Sequence, residues 1–222
     1  MSCVIVYVCH DNDSISKIIS NNYHIIFVGN NEIDDKYINY SKLIIARNLE
    51  NNIEHEPRLL TFTAWYAISK NNLFAEYEYI CILEYDVTTV SDFENILFNE
   101  CKLKNNRVIS FLDHCVRGIN TDIDVNVLKI YLMNQKINPL YEFYISYWGS
   151  SSNQCVDRNI LVDFVDFYYN SYLFIKENDY KKLSWYHERV FMIYLKNKNI
   201  EYKFLPFILT HAQSSSHIDR YN

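Results

Sequence analysis

Residues 77–90 form the stretch YEYICILEYDVTTV, which decides the fold. Tyr79 to Leu83 make a continuous apolar run, which is typical of a strand buried on both faces of an α/β sheet. Glu84 and Asp86 follow directly, and on an extended chain residues two apart point to the same side while Tyr85 points to the other. The stretch therefore predicts a central strand with two carboxylates at its carboxyl end.

Two interpretations account for these carboxylates. Two like charges at the end of a buried strand cost several kcal/mol unless a cation or a strong donor compensates them, so a bound metal ion is one interpretation. The other is that they mark where the strand reaches water. Gly29, Gly118 and Gly149 are the only glycines and lie far apart, which excludes a G-x-G-x-x-G turn and a P-loop. If the protein holds phosphates, a metal on paired carboxylates is the available device.

Composition limits the functional class. A chain of 222 residues without a Pro- or Ser-rich linker is expected to form one domain. The net charge of −6 argues against a nucleic-acid partner that needs a basic surface. No run approaches the roughly 20 apolar residues of a membrane span, and the first residues lack the basic region of a signal peptide. These features predict a cytoplasmic protein without a transmembrane segment.

The six cysteines show no CxxC pair and mostly lie in apolar runs. This pattern suits reduced core thiols better than disulfides or a zinc site.

Strands and helices are predicted to alternate along the first half of the chain, which indicates a mainly parallel sheet with ligands beyond the carboxyl ends of its strands. The predicted strands are 3–9, 23–28, 42–46, 79–83 and 107–112, and the predicted helices run to Ile19 from a cap at Asp13 or Ser14, from Pro57 to about Asn71, and from a cap at Ser91 to Asn99. Asp113 and His114 form either a functional or a structural pair at a strand end.

The second half contains more helix. Residues 122–135 are predicted to be helical, and 141–148 are aromatic and rich in β-favouring residues. Asp157 is placed to cap a helix, another helix begins near Ser184, and 204–210 form a strand that ends at His211. The apolar positions expected in the two helix cores are Ile160, Leu161, Phe164, Val165, Tyr168, Tyr172, Val190, Phe191, Tyr194 and Leu195.

Two polar segments of this half are candidates for ligand binding. The loop from Gly149 to Asn153 can hydrogen-bond hydroxyl groups while Tyr147 or Trp148 covers an apolar sugar face, although an ordinary turn is an equal alternative. Residues 185–189, WYHER, gather an aromatic ring, an imidazole, a carboxylate and a guanidinium in the first turn of a helix. The alternative for Glu188 is a surface acid favoured by the helix dipole.

The order of these motifs resembles nucleotide-sugar-dependent glycosyltransferases of the GT-A fold, and most closely the small stand-alone domains encoded by large DNA viruses. The resemblance rests on the first strand with its polar loop, the helix from Thr63 to Asn71, the ILEYD strand, the WxxER helix start and a late strand ending in histidine. It implies one Rossmann-like α/β domain with a mixed, mainly parallel central sheet flanked by helices. Its nucleotide-binding part covers about residues 1–115 and its sugar- and acceptor-binding part about 116–222.

The resemblance also implies functional residues. Glu84-Tyr85-Asp86 matches the E-x-D variant of the metal-binding D-x-D motif, with Mn²⁺ or Mg²⁺ as the ion. The metal-binding histidine maps onto His211, with His217 as second choice, and Glu188 occupies the place of the general base. Further residues are implied in the nucleotide site, namely Val8, His10, Asn12, Glu84 and Tyr85, and in the sugar and acceptor site, namely Trp148, Gly149, Ser150, Ser151, Asn153 and His187.

These residues imply transfer of a sugar from a nucleotide-sugar donor, most commonly a UDP-sugar, to a glycan, a glycoprotein or another hydroxyl acceptor. If the source is viral, the location is the host cytoplasm. Two alternatives use the same residues. One is a metal-dependent phosphodiesterase or nuclease, and the other is a non-catalytic protein of this fold that binds nucleotide or glycan.

Overall fold

The computed structural model describes residues 3–56, 59, 61–111, 153–178, 187–188, 190–191, 194–195, 197–205 and 207–211. The predicted helix 122–135, the aromatic stretch 141–148 and the pair Asp113–His114 lie outside them. Among these described residues, every helix is too short or too polar to cross a bilayer.

Nine strands and five α-helices have bounds within the described residues. The strands are β1 (Cys3–Cys9), β2 (His24–Phe27), β3 (Leu43–Ile45), β4 (Tyr79–Glu84), β5 (Val87–Thr89), β6 (Val108–Ser110), β7 (Gln154–Asp157), β8 (Lys203–Phe204) and β9 (Ile208–His211). The helices are α1 (Asn12–Ile19), α2 (Asp35–Ile38), α3 (Thr61–Lys70), α4 (Phe93–Leu103) and α5 (Arg158–Asn178), and a 3₁₀ turn covers Ala46–Asn48. Described residues between 187 and 197 are also helical.

Seven strands form one mixed sheet in the order β3-β2-β1-β4-β7-β6-β8. β1 pairs in parallel with β2 and β4, β2 with β3, and β6 with β8, whereas β7 is antiparallel to both β4 and β6. β5 and β9 form a separate antiparallel pair. The predicted α/β class with a mixed, mainly parallel sheet flanked by helices is confirmed.

The main sheet is covered on both faces, as the apolar run in β4 predicts. One core joins Ile80 and Ile82 to side chains of α3, α5 and the helical residues from Val190 to Leu195. The other joins Tyr79, Cys81 and Leu83 to α1 and α4. Tyr79 to Leu83 are all buried, because alternate side chains enter opposite cores.

Several predicted boundaries were wrong. Asp11, and neither Asp13 nor Ser14, caps α1; its carboxylate accepts from the Ser14 N–H at 2.7 Å, and the Ser14 hydroxyl completes a capping box. α3 begins at Thr61 instead of Pro57, and Leu59 before it is in a 3₁₀ turn. Nearly all of α3 is buried, since it lies between the sheet and α5.

The predicted strand 204–210 is in fact two strands in two sheets. β8 ends at Phe204 in the main sheet, and β9 begins at Ile208 beside β5. Pro206 lies between them in the sequence, and proline has no N–H to donate to a sheet.

Smaller boundary differences remain at two predicted elements. α4 runs from Phe93 to Leu103 after Asp92, and the predicted strand 107–112 is shorter, at Val108–Ser110.

Other expectations are confirmed. The Asp157 carboxylate accepts from the N–H groups of Asn159 and Ile160 and so caps α5. The ten apolar positions predicted for the two helix cores are all buried. Five cysteines, at positions 3, 9, 81, 101 and 155, are free thiols, whereas Cys115 lies outside the described residues.

Candidate functional site

The candidate site begins where β4 ends. Glu84 is its last residue, Tyr85 and Asp86 form a turn, and β5 starts at Val87. The prediction that Glu84 and Asp86 point to the same side assumed that the chain stays extended through Asp86. The chain instead turns at Tyr85 and Asp86. Both carboxylates still follow the carboxyl end of a central parallel strand, which is where ligands bind in open α/β sheets.

Glu84 is fixed by partners from two other parts of the chain. The Thr61 hydroxyl, at the start of α3, donates to Oε1 at 2.9 Å. The Asn153 side-chain amide donates to Oε2 at 2.9 Å, and its carbonyl oxygen accepts from the Glu84 backbone N–H at 2.7 Å. Asn153 is fully buried, so water does not compete for these bonds. The Glu84 carboxylate is therefore held in one orientation.

The sheet topology explains why Asn153 reaches Glu84. β7 runs antiparallel to β4, with Gln154 opposite Ile82, so the residue before β7 lies near the carboxyl end of β4. Asn153 was predicted to bind sugar from the end of a surface loop. Its observed place is beneath the site, as a partner of Glu84.

Tyr85 lies on the opposite face from Glu84, as predicted. Its ring meets the His10 ring edge to face, with centroids 4.8 Å apart, and the Lys17 ammonium lies 5.4 Å from its centroid. His10 Nε2 lies 3.2 Å from an Asp11 carboxylate oxygen. The carboxyl ends of β1 and β4 thus bring together an imidazole, a phenol ring and charged groups of both signs.

Val8 and Asn12 both lie near this edge of the sheet, Val8 within β1 and Asn12 at the start of α1. Val8 is buried in β1 and pairs with Glu84 in the sheet register. Asn12 opens α1, where its amide donates to Asp34 and to the Glu32 carbonyl and its oxygen accepts from the Asp34 N–H. Asn12 therefore orders the loop that follows β2.

His211 lies beside the carboxylate turn, because its backbone pairs with Val87 in the antiparallel β5–β9 pair. Strand neighbours have Cα atoms about 4.5–5.5 Å apart, and Val87 directly follows Asp86. Asp86 and His211, 125 residues apart in the sequence, are thus near neighbours in the fold.

His187 packs near the start of α3. His187 is buried, with its ring 6.1 Å from that of Phe62 and 6.2 Å from that of Tyr168, centroid to centroid. Phe62 directly follows Thr61, the residue that holds Glu84. The half-buried Glu188 therefore extends from a helical segment packed against the start of α3.

Trp148, Gly149, Ser150, Ser151 and His217 lie outside the described residues. Their assignment to sugar, acceptor or metal stays a prediction.

Sequence reasoning missed a buried carboxylate at the neighbouring strand end. Glu54 Oε2 accepts from the Gly29 N–H at 2.7 Å, and burial raises the pKa of Glu54 against the opposing effects of that hydrogen bond and of Arg47. Arg47 donates to the carbonyls of Gly29 and Asn31, and the Asn31 amide donates to the His10 carbonyl. The loop after β2 is thereby tied to the loop after β1.

The sequence contains only weak signals for these contacts. Gly29 has a positive φ of 86°, but nothing in the spacing of the sequence links it to Glu54. Thr61 was overlooked because a helix was expected to begin four residues earlier. Both residues act through contacts between distant segments, so a local pattern could not identify them.

No family model and no curated protein matches this sequence. Among solved structures, the mannosyltransferase Ktr4p from S. cerevisiae is similar at 14% identity and a TM-score of 0.44, covering 84% of this chain and 62% of that one. The galactosyltransferase LgtC, in complex with donor and acceptor sugar analogs, gives 12% identity and a TM-score of 0.45, covering 90% and 73%. TarS 1-349 from S. aureus gives 14% and 0.32, covering 89% and 74%.

This chain thus spans less than two thirds of the Ktr4p structure that it matches. Two of the three neighbours are named as sugar transferases. At these TM-scores and identities, none of them assigns a substrate or a residue role to this chain.

Proposed function

We propose that this chain is a metal-dependent glycosyltransferase that moves a sugar from a nucleotide-sugar donor, a UDP-sugar, to a hydroxyl of a glycan or glycoprotein. The observation that carries the proposal is the pairing of Val87 with His211, since it brings the predicted histidine ligand beside the Glu84-Tyr85-Asp86 turn. The viral source and the cytoplasmic location stay predictions.

The proposed metal ligands suit Mn²⁺ or Mg²⁺. Asp86 would supply a carboxylate oxygen and His211 an imidazole nitrogen, and an oxygen-rich set with one imidazole fits a hard to borderline divalent ion. Thr61 and Asn153 donate to the two Glu84 oxygens, so Glu84 is better placed to act through a water or a donor hydroxyl than as a second direct ligand. When bound, the ion would neutralise charge on the leaving nucleoside diphosphate.

The nucleotide would lie over the ends of β1 and β4. His10 and Tyr85 offer aromatic surfaces there, Val8 forms the floor in register with Glu84, and Asn12 orders the adjoining loop. Lys17, near the Tyr85 ring, adds a positive charge at the same edge. This combination can stack on a base and hydrogen-bond a ribose without a glycine-rich loop.

Glu188 would act as the general base. In an inverting transfer the acceptor hydroxyl loses its proton as its oxygen bonds to the anomeric carbon, and the bond from that carbon to the diphosphate oxygen breaks. His187, the residue before Glu188, packs near the rings of Phe62 and Tyr168, and Trp148, Gly149, Ser150 and Ser151 would complete the sugar pocket.

A thermal-shift screen tests the donor site. Purified protein is melted with UDP, GDP, CDP and their sugars, with and without MnCl₂, and one nucleotide class should raise Tm only when the metal is present. Asp86→Ala should abolish this metal-dependent shift and donor-dependent transfer, whereas Glu177→Ala, which removes an exposed carboxylate from α5, should leave both unchanged.

Two outcomes would redirect the proposal. Wild-type transfer by folded Asp86→Ala would remove the metal assignment. Metal-dependent nucleotide binding without transfer to any glycan would favour a non-catalytic nucleotide-binding protein, and hydrolysis of nucleic acid would favour the phosphodiesterase.

A further inference from the structure

Three cysteines converge on the α4 side of the sheet, away from the carboxylate turn. Cys3 opens β1, Cys155 lies in β7, and Cys101 lies near the end of α4. The Sγ atoms of Cys3 and Cys155 are 3.8 Å apart, those of Cys101 and Cys155 are 3.7 Å apart, and all three lie within 4.8 Å of one another. Each thiol thus comes from a different element.

The arrangement does not suit a disulfide between the strands. β4 lies between β1 and β7, so Cys3 and Cys155 are separated by two strand spacings, or about 9–10 Å. A disulfide requires Cα atoms within about 7 Å, and bridging this pair would require the sheet backbone to move.

The sulfur separations do suit a shared metal ion. With metal–sulfur bonds of about 2.3 Å, two thiolates on a tetrahedral ion lie about 3.8 Å apart. The two measured separations match this value.

The burial of the three thiols is compatible with a metal site. Cys101 and Cys155 are buried, whereas Cys3 is half-buried and gives the cluster a route to the surface. A bound metal would replace the protons of the thiols that ligate it.

We propose that Cys3, Cys101 and Cys155 form a three-thiolate site for a soft metal ion, Zn²⁺ or Cu⁺. Thiolate ligands select these ions over Mn²⁺ and Mg²⁺, so the site is chemically distinct from the proposed donor-metal site at Asp86. A fourth ligand, such as water, can enter from the side of Cys3. The proposal does not depend on the glycosyltransferase assignment.

Metal titration of the reduced, full-length protein tests the site. Co²⁺, the spectroscopic substitute for Zn²⁺, should give a thiolate-to-cobalt charge-transfer band that saturates at one ion per chain and is displaced by Zn²⁺. A parallel titration with Cu⁺ against a colorimetric chelator measures Cu⁺ affinity and decides which ion is preferred.

Cys3→Ala and Cys155→Ala should each weaken binding at least about tenfold, by the loss of one of three ligands. Cys9→Ala is the matched control, because Cys9 is a buried thiol at the other end of β1. Circular dichroism of each variant confirms its fold, and the half-buried Cys3 gives a test if Cys155→Ala fails to fold.

The proposal is overturned if the wild-type protein shows no thiolate band and no Cu⁺ binding. It is also overturned if Cys9→Ala loses as much affinity as Cys3→Ala, or if mass spectrometry finds a Cys101–Cys155 disulfide in protein that binds neither metal.

Discussion

At the carboxyl end of β4, Glu84 is held by a hydroxyl and an amide from other elements, whereas under α4 the thiols of Cys3, Cys101 and Cys155 contact one another. The carboxylate needs dipoles around it, because a buried charge without hydrogen bonds is costly. The thiols pack as small apolar groups and need no polar partner. We therefore expect changes around Glu84 to alter both stability and activity, and changes in the thiol cluster to alter metal binding.

The largest effect is expected at Glu188, the proposed general base. Glu188→Gln keeps the shape of the side chain but cannot take the proton from the hydroxyl of the acceptor substrate. The kcat for transfer should therefore fall by about 10²–10⁴-fold. Donor binding, measured by calorimetry, should be unchanged. Glu177→Gln on α5 is the control, and wild-type kcat in Glu188→Gln would remove Glu188 from the chemistry.

The next effect concerns the buried amide beneath Glu84. Asn153→Leu removes the partners of the Glu84 N–H and of Oε2, and should lower the free energy of unfolding by about 2–4 kcal/mol. Urea denaturation measures this value. Asn170→Leu, an exposed site on α5, should change it by less than about 0.5 kcal/mol. Equal losses in the two variants would show that Asn153 does not support Glu84.

A smaller effect is expected at the hydroxyl on the other side of the carboxylate. Thr61→Val is nearly isosteric and removes one donor to Glu84, so it should cost about 1–2 kcal/mol, whereas Thr61→Ser keeps the donor and should cost less. A double-mutant cycle with Glu84→Ala, which removes the acceptor, measures the coupling. Strict additivity of the two changes would contradict a direct interaction.

The smallest effect is a pH dependence at Glu54. Burial raises the folded-state pKa of Glu54. Its contribution to the stability of the folded state is therefore fully present below the ordinary glutamate pKa and is lost as pH rises through the raised pKa. Glu54→Gln stays neutral, so its Tm relative to wild type should increase between acidic and neutral pH. The same comparison with the exposed Glu177→Gln should show no such trend; a flat profile for Glu54→Gln would remove Glu54 as the cause.

The sequence predicted β4 well because its signal is local. A strand buried on both faces must be apolar throughout, and Tyr79 to Leu83 are. The end of β1 and the cap at Asp157 were found for the same reason, since a strand boundary and a helix cap each depend on a few adjacent residues.

Local sequence patterns could not predict the contacts across the sheet. The bond between Asn153 and Glu84 requires β7 to run antiparallel beside β4, which no residue of either strand specifies. The thiol cluster joins three elements whose cysteines show no metal-binding spacing, so the sequence predicted reduced core thiols but not the convergence of three of them. Strand 204–210 was predicted as one element because its apolar run does not show that its halves enter different sheets.

The pairing of Val87 with His211 also has a consequence for biosynthesis. The two residues are 124 positions apart, and translation at about 5–20 residues per second separates their synthesis by about 6–25 s. During that interval β1 to β4 can associate on the ribosome while the turn at Asp86 still lacks its neighbouring strand. A nascent chain therefore carries the carboxylates before it carries the histidine, and the proposed metal site can assemble only after residue 211 has been added.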